Sequence, residues 1–116
     1  LYYRADRVKK PLVKISTKII TKNMGWCDDP KSKNYNKEIK INKNMSHEKL
    51  FKKESIYDYF IVINYNTTKI VPYKGSAIFI HLTKNYKATA GCIALIKKDF
   101  LILLKLIDRK TKIKIT

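Results

Sequence analysis

At 116 residues the chain has room for one domain with a modest core, and 26 Lys and Arg against nine Asp and Glu give it a net charge of +17. That excess points to an anionic partner such as phosphate or a wall polymer, but abundant Lys, Ile, Asn and Tyr also fit an A/T-rich coding bias. Nucleic-acid readers favour Arg, which is scarce here, and the apolar run Phe100 to Leu104 falls far below the ~18 residues a membrane span needs.

Residues 1–24 are basic and irregular, with Pro11 interrupting, and read as short edge-like strands. Tyr2, Tyr3, Arg4 and Arg7 are candidates to line a cleft for an acidic peptide. Residues 25–46 have the Gly, Pro, Asn, Lys and Ser content of a long loop. Within it Trp26 and Tyr35 are candidates for a substrate wall, while Asp28 and Asp29 read as turn residues that cap backbone amides. Ser46 to Phe51 predicts a short helical turn with Ser46 as N-cap, leaving His47 in a charged, solvated setting.

Ile56 to Tyr65 predicts a strand with Phe60, Ile61, Val62 and Ile63 at its buried centre, followed by a turn over 64–68. Ser76 to His81 is short, continuously apolar and rich in β-branched and aromatic residues, which favours a second buried strand. Alternation puts Ala77, Phe79 and His81 on one face and Ser76, Ile78 and Ile80 on the other. Ile96, Phe100, Leu103, Leu104 and Ile107 then follow helical spacing within 93–107, and Thr111 to Ile115 alternates as a closing edge strand.

Chemistry concentrates at His81 and Cys92. A thiol needs a nearby base and partial positive charge to become a thiolate at neutral pH. His81 at a strand end supplies a base, and a helix starting close to Cys92 would aim its unpaired N–H groups at the sulfur. Gly91 permits the close backbone approach such a site needs. The rival base is His47. Cys27 and Cys92 have no metal-site spacing; they can pair in an oxidising compartment, and two free thiols are the favoured reading.

His81 with Thr89-Ala90-Gly91-Cys92 resembles the His and Ser/Thr-x-Gly-Cys signature of the L,D-transpeptidase catalytic-domain (YkuD-like) family. Residues 2–7, Gly25 to Pro30, Tyr35-Asn36, His47 to Phe51, Ile56 to Asp58 and Gly75 to His81 resemble segments of one bacterial branch in the same order. The departures are a connection of only seven residues between His81 and Thr89, and Ala at positions 90 and 94, where many members carry His and Asn or Arg.

The resemblance implies a mainly β (α+β) fold, a β-sandwich with one principal helix after Cys92. It implies that residues 1–116 are the C-terminal portion of that catalytic domain, lacking its first strands. It further implies a cysteine acyltransferase acting on peptidoglycan stem peptides, with Cys92 as nucleophile, His81 as base and Gly91 beside the oxyanion. Thr89, Ala90, Trp26 and Ser76 are the candidate substrate-binding residues. No metal or cofactor is expected, and the location implied is periplasmic or wall-facing. Alternatives are a hydrolytic L,D-carboxypeptidase or amidase with the same site, an inactive wall-binding relic, and a basic polyanion- or nucleic-acid-binding module. Evenly spread lysines and the absence of a recognised nucleic-acid motif weigh against the last.

Overall fold

The computed structural model describes residues 1–84 and 92–114. Two β-rich segments with apolar side chains on both faces form its middle. These are Tyr59–Val62 and Phe79–Leu82, whose alternate residues must be covered on each side. In chain order the strands are β1 (Tyr2–Tyr3), β2 (Lys18–Ile19), β3 (Met24–Cys27), β4 (Glu38–Lys40), β5 (His47–Lys49), β6 (Tyr59–Val62), β7 (Phe79–Leu82) and β8 (Ile93–Leu95). A 3-10 turn spans Ser55–Tyr57 and the helix α1 spans Lys97–Leu106.

One five-stranded sheet has the order β2-β1-β6-β7-β8 and a three-stranded sheet the order β4-β3-β5. Register settles which side chains share a face. Phe60 lies opposite Tyr2 and His81, and Tyr59 opposite Tyr3, while Ile61 and Ile93 flank Ile80. The Tyr59, Ile80 and Leu82 face packs with Phe100, Leu104 and Ile107 of the α1 segment. The Phe60 and Phe79 face packs with Trp26, Leu50 and Tyr57 beneath the small sheet. The large sheet is therefore the middle layer, covered by the helix on one side and the three-stranded sheet on the other. The expectation of a mainly β fold with two sheets and a single helix is met among the described residues.

Aromatic rings fill the core between the sheets. Phe60 stacks on Tyr2 at 4.7 Å and on Phe79 at 4.5 Å, and Trp26 meets Phe79 edge-on at 5.1 Å. Each such pair adds about 0.5–1.5 kcal/mol to the area it buries.

Several boundaries differ from the sequence reading. Residues 25–46 contain β3 and β4 rather than one long loop, because Gly25 and Trp26 pair with Ile39 and Glu38. The predicted helical turn at Ser46 is instead β5, paired with β3. Ser46 Oγ donates to Asp28 Oδ1 at 2.6 Å and so is not available as a helix cap. The strand predicted from Ile56 starts only at Tyr59, since Ser55–Tyr57 coils first. The strand predicted from Ser76 starts at Phe79, because Ala77 has φ 57° and breaks the extended run. Residues 111–114 form no strand, and Ile115 lies outside the described residues.

One buried side chain joins the layers. Asn36 is 4 % exposed and sits at φ 57°, a left-handed conformation that Asn tolerates. Its Oδ1 accepts from Trp26 Nε1 at 2.9 Å and from the Ala77 amide at 3.1 Å. Its Nδ2 donates to the Tyr65 and Asn66 carbonyls at 3.1 and 2.6 Å. Replacing Asn36 with Gly keeps the backbone freedom and removes these bonds, stranding buried donors at about 1–3 kcal/mol each. Urea denaturation is expected to show a loss of about 3 kcal/mol for Asn36→Gly.

Candidate active site

The bend at Ala77 sets up the site. Gly75 at φ 127° and Ala77 at φ 57° turn the chain into β7, and Asn36 Oδ1 holds the Ala77 amide in that turn. Ser76 Oγ donates to the Cys27 carbonyl at 2.6 Å, tying the same turn to β3. The Ala77 carbonyl is thereby presented to Cys92, whose Sγ–H donates to it at 3.1 Å.

Parallel pairing places the two chemical residues. Ile80 lies beside Ile93 and His81 beside Ala94, so continuing the register by one residue sets Cys92 beside Phe79. Alternation then puts Phe79, His81, Cys92 and Ala94 on one face, with Cys92 and His81 diagonal neighbours on adjacent strands. Cys92 packs against the core between the sheets, in agreement with this.

The His81 ring is held by backbone. Its Nδ1 lies 2.9 Å from the Leu82 carbonyl oxygen, which can only accept, so Nδ1 carries a proton and Nε2 is the nitrogen that can serve as a base in the neutral ring. The Tyr57 ring meets His81 edge-on at 5.6 Å. Tyr57 itself donates its hydroxyl to Glu48 Oε1. Lys52 Nζ approaches the same oxygen at 3.3 Å and lies 4.8 Å from the centre of the Tyr57 ring. Burial, then the bond to Glu48, pushes the Tyr57 phenol well above its ordinary value, so it stays a neutral donor.

The Cys92 thiol is pushed up as well. Burial is the largest cause, and the Glu48 charge adds to it, while a hydrogen bond from the Phe79 backbone amide pulls the other way. The neutral thiol is thus the resting form near neutral pH, and ionising it calls for a base that removes the proton during attack.

The helix takes no part in this. Cys92 is followed by β8, and α1 begins only at Lys97. At about 3.3 Å of rise per strand residue the helix start lies roughly 15 Å from the Cys92 backbone. The expectation that its N–H groups face the sulfur is therefore corrected. Ile93, Ala94 and Leu95 pair with β7 and are drawn into the sheet instead.

The remaining expectations sort by place. Thr89, Ala90 and Gly91 lie outside the described residues. Trp26 is a core residue at 5 % exposure, and Ser76 is spent on the Cys27 carbonyl. His47 points to the opposite face of β5 from Glu48, with Nδ1 2.8 Å from the Met45 carbonyl, so it is not brought to Cys92. Arg4 is 3 % exposed and gripped by Asp6 at 2.8 Å and the Lys52 carbonyl at 2.6 Å. Arg7 bonds Asp58 at 3.0 Å and the Lys53 and Glu54 carbonyls. Both arginines are engaged in holding the 52–58 segment. Asp29 Oδ1 accepts the Lys31 amide at 3.0 Å, the turn role expected of it. Cys27 is buried, and it is not joined to Cys92 in a disulfide.

Glu48, Lys52, Tyr57 and Ala77 were not singled out by sequence. Nothing local marks them, because their position beside Cys92 comes from β5, the 3-10 turn and the Ala77 bend meeting in space. An open apolar groove lined by Ile61, Ile63, Ile80, Ile93, Leu95 and Leu103 lies largely on the opposite face of the sheet, away from His81.

The class defined by a His and a Cys on adjacent strands of a two-sheet fold agrees with comparison across protein families. Residues 2–115 match the model of YkuD, the L,D-transpeptidase catalytic domain, and the chain belongs to that family. No curated protein and no solved structure matches it.

The raised thiol gives a direct test. Alkylation of Cys92 by iodoacetamide is expected to accelerate with pH to a midpoint above the ordinary thiol value of 9.0. Glu48→Gln removes the nearby negative charge, and the expected result is several-fold faster alkylation at fixed pH.

Proposed function

We propose that the chain is a cysteine acyltransferase that acts on peptidoglycan stem peptides, an L,D-transpeptidase. The observation that carries this reading is the placement of His81 and Cys92 on one face of adjacent strands, with the Leu82 carbonyl fixing the His81 tautomer. Membership of the L,D-transpeptidase catalytic-domain family supports the substrate class.

His81 Nε2 takes the Cys92 proton as the sulfur attacks the carbonyl of the L,D peptide bond of a tetrapeptide stem. Backbone N–H groups at Gly91 and Cys92 are positioned by this reading to receive the oxyanion, a contribution of about 3–4 kcal/mol per donor in well-studied sites. The Phe79 amide, which already favours the ionised sulfur, steadies the thiolate as it forms. The tetrahedral adduct collapses with cleavage of the C–N bond. His81 returns the proton to the departing amine, and the terminal D-amino acid leaves a Cys92 thioester. The side-chain amine of a second stem then attacks the thioester, loses its proton to His81 and releases the Cys92 thiol as a new amide bond forms. Thr89 and Ala90 are the substrate-side residues of this proposal, while Trp26 and Ser76 support the turn behind the thiol. The periplasm or wall is the location such a substrate requires.

Release of the terminal D-amino acid from a tetrapeptide stem is the reaction to follow. Cys92→Ala is expected to abolish release, and His81→Ala to lower kcat by about 10²–10⁴-fold. Product mass identifies the acceptor. A crosslinked dimer indicates transfer to an amine, and a free tripeptide indicates that water resolves the thioester.

A further inference from the structure

The surface around the end of α1 combines exposed aliphatic side chains with a run of exposed cations. An isolated parallel bridge joins Lys14 to Asp108, which sets the 9–14 segment alongside the chain leaving the helix. Val13, Ile15 and Ile107 turn inward to the core on the helix side of the sheet. Two residues upstream of each bridge partner, Leu12 and Leu106 turn outward and are 98 % and 76 % exposed. Ile102, one helical turn before Leu106, is 50 % exposed, and Ile113 beyond the helix is 43 % exposed.

Cations surround these aliphatic side chains. Lys9, Lys10 and Lys14 flank Leu12, and Lys105, Arg109 and Lys110 flank Leu106, all of them exposed. The acid among them, Asp108, has its carboxylate turned to the Lys110 amide at 2.8 Å.

We propose that this surface docks peripherally on an anionic phospholipid bilayer. Lysines and arginines draw it to lipid phosphates, at roughly fivefold in partitioning per cation near the surface. The exposed leucines then enter the acyl boundary. A soluble polyanion would satisfy the cations and offer the leucines nothing, while a net charge of +17 opposes burial of the patch against a second copy. Among the described residues no helix is long and apolar enough to cross a membrane, so the association is a surface one. Because α1 covers the face of the sheet opposite Cys92 and His81, docking leaves the thiol turned away from the lipid.

Flotation with phosphatidylcholine vesicles, with and without phosphatidylglycerol, tests this for the whole chain. Binding is expected only with phosphatidylglycerol and is expected to weaken with salt. Leu12→Ser with Leu106→Ser is expected to reduce partitioning at least about tenfold, since burying even one Leu side chain is worth that much. These side chains are exposed, so circular dichroism and Cys92 alkylation should match wild type. Undiminished binding by the double variant would overturn the proposal in favour of a simple polyanion site, as would equal binding to neutral vesicles. Self-association of the wild type that the double variant loses would assign the patch to a dimer and overturn it likewise. Failure of wild-type flotation would reject the docking surface without touching the acyltransferase reading.

Discussion

The Asn36 amide is the joint on which both sheets and the thiol depend. Its oxygen serves the Trp26 indole from the small sheet and the Ala77 amide from the turn before β7, and its nitrogen serves the Tyr65 and Asn66 carbonyls. All four bonds are buried or partly buried, where an unmade partner is costly and a complete set fixes one arrangement. Ala77 is thereby locked in a left-handed conformation that a residue with a Cβ seldom adopts, and its carbonyl is the group that receives the Cys92 thiol. A residue in β3–β4 territory thus determines where a sulfur on the far side of the core can sit.

Strand β7 converts that fixed turn into chemistry. Its Ile80 and Leu82 anchor the helix-side core, and this anchoring forces Phe79 and His81 onto the other face, where Cys92 lies. The same burial that holds the thiol in place disfavours its charged form, and Glu48 adds to the penalty. In the proposed acyltransferase reading activation falls to His81, whose Nδ1 is engaged by the Leu82 carbonyl, because α1 starts too far along the chain to aim its N–H groups at the sulfur. Tyr57 links the two halves of the site. It packs on His81 while bonding Glu48, so the carboxylate that opposes thiolate formation is also part of what holds the imidazole.

Sequence carried the middle of the molecule well. The apolar, β-branched runs that contain β6 and β7 are strands, and Phe100, Leu104 and Ile107 face the core as helical spacing requires. Residue type and motif singled out His81 and Cys92, and the pairing of β7 with β8 sets them on one face. What was not legible depends on pairing. Met24-Gly25-Trp26-Cys27 has no β-branched residue, and Glu38-Ile39-Lys40 only one, so neither announces a strand until the other is beside it. Ser46 looks like a cap until Asp28 claims its hydroxyl. Ile93 to Leu95 fits a helical stripe, but its position beside Ile80 to Leu82 makes it sheet. The charge of Glu48 at the thiol and the reach of Asn36 to Ala77 span 44 and 41 positions, and no local pattern encodes either (92 − 48 and 77 − 36).

The central claim is that Cys92 is a nucleophile ionised by His81 at the moment of attack. Intact-mass spectrometry after exposure to a carbapenem, whose strained carbonyl acylates such a thiol, tests it most directly. The account predicts one covalent adduct mapping to Cys92, absent in Cys92→Ala and formed much more slowly in His81→Ala. A folded protein with Cys92 reduced and no adduct, or an adduct that forms equally fast without His81, would contradict it.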